Sequence, residues 1–167
     1  MLHYLKITIH SIRDKHHDER ICSTMELESI ISAGFLVAAA FNFLILYYNR
    51  GISFQSDNEL GKIDPLFDRH GISTVLLFGL AYASLWNRFS EAPMVSVLFG
   101  VEKMYYAIHF VYWHRQNKAL MKTLLRTKPL EASFLKGYGF GDCFFAMFFF
   151  AVGFYYRRNF FGPVTPE

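Results

Sequence analysis

Glu102, Tyr106, His109 and Trp113 recur at helical spacing inside Ala92–His114, a stretch whose only ionised side chains are Glu102 and Lys103. At about 100° per residue the four fall within about 40° of one direction, so a helix here presents them as a single stripe. Tyr105 and Tyr112 flank it, and Lys103 points about a quarter-turn away. A carboxyl, a phenol, an imidazole and an indole on one face can hold a proton, bind an apolar molecule or tie helices together.

A second acid, Asp142, lies in another apolar stretch, and Asn42 in a third. Counting inward from the connection between His114 and Gly137 places His109 and Asp142 at one level, which predicts a His109–Asp142 clamp. Asn42, Asp68, His70, His109, His114 and Asp142 then gather at one mouth, with Glu102 deeper. This arrangement reads as a polar funnel. The candidate catalytic residues are Glu102, His109 and Asp142. Asn42, Tyr106, Trp113 and His70 are candidate pocket residues.

The elements that must position them are set by hydropathy. Ser29–Tyr48 holds 20 residues without Lys, Arg, Asp or Glu, Gly71–Asn87 holds 17, and Ala92–His114 and Gly137–Tyr156 are broken only by the acids above and Lys103. About 20 apolar residues cross a ~30 Å hydrocarbon slab. Of the chain's 167 residues, 53% are hydrophobic and 19% aromatic. A soluble domain of this length cannot surround four wholly apolar helices. The predicted fold is an all-α integral membrane bundle with four transmembrane helices at about 29–48, 71–87, 92–114 and 137–156. Residues 1–28 are predicted as an amphipathic and polar amino-terminal segment, 29–158 as the transmembrane domain and 159–167 as a short tail. Leu2, Leu5, Ile9 and Ile12 give the first segment a helical apolar face suited to a membrane surface. Met25 opens a second candidate start.

Pro93 suits a first helical turn, where its missing N–H costs nothing. Gly34–Ala38, Gly79–Ala83 and Gly137–Gly141 are small-residue pairs that let helices approach closely. The connection 49–70 reads as a polar loop and 115–136 as a basic, partly helical one. Lys and Arg count nine on the side of these two loops and seven on the other, or nine against three from Met25. That excess favours loops inside and termini outside. Localisation is predicted in the bacterial inner membrane or an equivalent cellular membrane.

The partners expected are the lipid bilayer, an apolar lipid-like molecule and, as an open alternative, further copies of the chain. The basic loop suits an anionic lipid surface. One short basic loop is not a nucleic-acid interface. The two cysteines, Cys22 and Cys143, fit no metal or redox spacing. His109 and His114 point about 140° apart, unlike a helical zinc pair. A two-histidine haem on His70 and His109 is the remaining metal alternative, and no cofactor is predicted.

These residues support a small multi-pass membrane protein with a polar pocket, structural or ligand-binding, without assigned catalysis. The alternative is an isomerase-like membrane enzyme or a lipid carrier with Glu102 as proton donor. In architecture alone this layout is similar to that of the Expera-type four-helix sterol isomerases and binding proteins. A proton path along Glu102, Tyr106, His109 and Asp142 is a further reading. No GxSxG, HExxH or phosphate-cradling loop is present, so hydrolase chemistry has no support.

Overall fold

The computed structural model describes the backbone of residues 2–51 and 59–160, and side chains of residues 24–51 and 59–158. It is all-helical, with no strand among the described residues. The described residues form five α-helices and one short 3₁₀ turn, in order α1 (Leu2–Tyr48), the 3₁₀ turn (Pro65–Phe67), α2 (Arg69–Leu85), α3 (Pro93–Gln116), α4 (Lys118–Thr127) and α5 (Pro129–Phe160). Side chains of the amino-terminal segment up to Ser23 and of the tail, and with them the amphipathic face expected at residues 2–12, lie outside the described residues.

Among the described residues, three segments are long and apolar enough to cross a membrane: Thr24–Tyr48, Pro93–Gln116 and Pro129–Arg158. The four-span expectation differs at α2, which holds 17 residues, at the short end of the crossing range. Two boundaries also differ. The amino-terminal segment is helical and runs into the first span without a break, so no backbone boundary falls at residue 28. The last helix begins at Pro129, eight residues before Gly137, because Pro129 starts a helix well and the charged Glu131 is buried rather than solvated.

Local chemistry sets the helix ends. At the end of α1 Gly51 N–H donates to Leu46 O at 2.7 Å and Arg50 N–H to Tyr47 O at 3.2 Å, a Schellman closure with Arg50 in the left-handed region at φ 57°. Asp64 caps the 3₁₀ turn by accepting from Leu66 N–H, and Asp68 caps α2 by accepting from Gly71 N–H at 2.8 Å. Pro93 opens α3 as expected.

The core has two layers. Ile45, Ile72, Val75, Tyr106, Phe110, Trp113, Leu135 and Tyr138 form the loop-end layer, where α1 and α3 finish and α2 and α5 begin. Phe35, Ala38, Tyr82, Phe99, Phe149 and Val152 form the far layer. Each of α1, α2, α3 and α5 contributes to both layers, so these four helices run alternately up and down. Among the helices, α3 and α5 pack together most extensively. Gly139 receives Phe110, Gly100 receives Phe150, and a Cβ on Gly153 would sit 2.9 Å from Pro93 O. Of the small pairs expected from sequence, Gly141 receives Phe41, Gly34 receives Phe148 and Gly79 lies against Asn42, whereas Gly137 faces open space.

Candidate functional site

The polar side chains meet between the two layers. Along each helix the polar residue separates a loop-end apolar residue from a far-end one: Asn42 lies between Ala39 and Ile45, Lys103 between Phe99 and Tyr106, Asp142 between Tyr138 and Phe145. Lys103 is the centre. Its Nζ donates to Asp142 Oδ1 at 2.7 Å and to Asn42 Oδ1 at 2.5 Å, and it lies 5.3 Å from the Phe41 ring centroid and 5.6 Å from that of Tyr82. Asn42 in turn donates from Nδ2 to Val75 O of α2 at 2.8 Å. One ammonium thereby links α1, α3 and α5 directly and α2 through Asn42. Lys103 and Asp142 side chains are 3% and 6% exposed, so this ion pair is desolvated. Breaking such a pair by removing one partner costs about 3–5 kcal/mol, because the other charge is left buried.

Glu102 faces α2, where Tyr82 O–H donates to its Oε2. Its other oxygen, Oε1, is buried with no protein partner. Beside Lys103 lies a cavity of about 20 Å³, bounded by Asn42, Phe67, Tyr106, Tyr138 and Asp142. That is room for about one water. A cleft of about 120 Å³ between α1 and α5 shares Phe41, Phe134 and Tyr138 with this cavity, and Gly137 lines it.

The expected funnel mouth is filled. Residues 59–68 fold into it rather than standing off as a polar loop. Leu60 and Phe67 are fully buried, and Phe67 packs among Tyr106, Phe134 and Tyr138. Among the described residues, two ion pairs and one His–Asp hydrogen bond fasten this plug. Asp64 Oδ2 lies 3.0 Å from His109 Nε2, Arg50 Nη2 lies 3.3 Å from Glu131 Oε1, and Lys128 Nζ lies 2.6 Å from Glu59 Oε2. An ionised Asp64 can only accept, which puts the proton on His109 Nε2. The hydrogen bond from Lys128 holds the Glu59 carboxyl below its usual range.

The His109–Asp142 clamp is therefore corrected. Phe110 against Gly139 keeps the two residues near one height, but they face different ways: His109 turns to the plug, and Asp142 turns inward to Lys103. The stripe stays on one side of α3, with Glu102 against α2, Tyr106 beneath Phe67, His109 on Asp64 and Trp113 buried at the loop end. His70 is exposed at the start of α2 and joins none of these contacts. His114 packs on Phe110, and its buried Nδ1 has no partner. No group of three or more His, Cys, Asp or Glu among the described residues is placed to hold a metal ion.

Sequence reasoning missed Tyr82, Asp64, Phe67, Arg50 and Glu131. A signal existed for the plug: Asp64 before Pro65 is a cap signature, and Leu60 and Phe67 are large apolar residues in an otherwise polar stretch. Comparison with protein-family models, with curated proteins and with solved structures finds no match to this chain.

Proposed function

We propose that this chain is a four-span integral membrane protein of structural or accessory role, whose Lys103–Asp142–Asn42 centre locks the four helices in register. The observation that carries this reading is an inverted polarity. Leu77, Leu98, Ile108, Phe140 and Phe144 are all more than half exposed, while Asn42, Lys103 and Asp142 are buried. Water punishes that arrangement and hydrocarbon favours it. The helix α2 joins the spans in this reading, since it runs through both core layers and turns Leu77 and Leu80 outward. The Lys and Arg distribution supports loops in the cytoplasm and termini outside.

A clamp also suits the size of the interior. Ligand pockets usually measure about 300–1,000 Å³, and the cavity beside Lys103 holds about 20 Å³. In detergent, Lys103→Met alone loses about 3–5 kcal/mol of unfolding free energy, and Lys103→Met with Asp142→Leu recovers most of it. A double variant as damaged as the worse single one contradicts the clamp.

One observation favours the second reading, a lipid carrier or isomerase-like enzyme with Glu102 as proton donor. Glu102 Oε1 is buried without a partner. That reading predicts a sterol- or terpenoid-sized molecule in native mass spectra of the detergent-extracted protein, lost on Glu102→Gln. Spectra free of such a molecule, or unchanged by Glu102→Gln, reject it.

A further inference from the structure

Besides the central cavity, the bundle carries a larger recess on its outer face, between α3 and α5, of about 500 Å³. Met104, Ile108 and Val111 form one wall, and Phe140 and Cys143 the other. Gly139 has no Cβ, and Phe110 lies against it, so the floor is deep at that point. Arg115 is the only charged residue of the lining, and it sits at the loop end.

Length and charge together describe an occupant. Met104 to Arg115 spans about 16 Å along a helix. That is roughly one leaflet of a ~30 Å hydrocarbon layer, with the guanidinium at headgroup height. Lys118 and Lys122 are exposed beyond it, and the single acid of residues 115–136, Glu131, is buried on Arg50. An apolar slot one leaflet deep, cationic at the interfacial end only, complements one acyl chain beneath an anionic phosphate. A second copy packed here about an axis along the membrane normal would bring two Arg115 side chains together without a counter-charge.

We propose that this recess is a binding site for an anionic phospholipid, with one acyl chain between α3 and α5 and the phosphate on Arg115. The proposal rests on the membrane reading above. The test is native mass spectrometry of the full chain extracted from vesicles of equimolar phosphatidylglycerol and phosphatidylcholine with identical acyl chains. The wild-type chain is expected to retain phosphatidylglycerol several-fold over phosphatidylcholine. Arg115→Gln abolishes that preference, Ile108→Trp fills the slot and lowers retention of both lipids, and Arg157→Gln at the opposite end leaves the preference intact. Both Arg115 and Ile108 are exposed, so the bundle folds with either change. Equal retention of the two lipids, equal effects of Arg115→Gln and Arg157→Gln, or a dimer that Ile108→Trp dissociates overturns the proposal. Failure of the membrane reading looks different: the protein then stays dispersed without detergent and carries no lipid of either kind.

Discussion

At the residue scale, the chain distinguishes two kinds of polar partnership. Lys103 and Asp142 satisfy each other in the interior, whereas Asp64 and His109 fasten a loop. The distinction is measurable. A double-mutant cycle on His109→Ala and Asp64→Ala yields a coupling energy of about 0.5–3 kcal/mol, and a cycle on His109→Ala and Asp142→Asn is additive to within about 0.5 kcal/mol. Unfolding in detergent followed by tryptophan fluorescence reads both, and coupling in the second cycle but not in the first restores the clamp expected from sequence. Periodicity made the Glu102–Trp113 stripe legible, because a helical face follows from spacing alone. It left the partners open, because a rotation of α5 by a fraction of a turn decides whether Asp142 meets His109 or Lys103. Chain counting makes the depth of these groups legible; their facing depends on Phe110 seated on Gly139 and Phe150 on Gly100.

At the element scale, α3 and α5 form the spine, and glycines set their spacing. A Cβ on Gly139 would run into Phe110 near its own Cβ, where the side chain cannot swing aside, while a Cβ on Gly137 meets nothing within 4 Å. Gly139→Ala is therefore expected to lose about 1–3 kcal/mol through overpacking. Gly137→Ala is expected to be neutral or to gain up to about 1 kcal/mol from helix propensity. Thermal melts in one detergent compare the two, and equal losses would show that α3 and α5 do not approach as described. The helices themselves were legible, since apolar length reports them directly. Connection 49–68 was not. Its polar composition reads as solvated, yet Leu60, Asp64 and Phe67 are buried because α1, α3 and α5 leave a mouth that a loop with two large apolar residues can fill. The early start of α5 was hidden for a related reason: Glu131 reads as a surface acid until Arg50 is placed beside it.

At the scale of the whole molecule, Asn42, Lys103 and Asp142 face inward while Leu77, Leu98, Ile108, Phe140 and Phe144 face outward. That inversion ties the Lys103 centre, the plug and the recess proposed for a phospholipid to one solvent. Of the 19 Phe residues, Phe140, Phe144 and Phe154 are exposed, while Phe35, Phe99 and Phe149 fill the core. The most direct measurement is extraction of membranes from cells producing the chain, first with alkaline carbonate and then with detergent. An integral membrane bundle stays in the carbonate pellet and enters solution only with detergent. Release into the carbonate supernatant as a dispersed, folded particle would contradict the membrane reading.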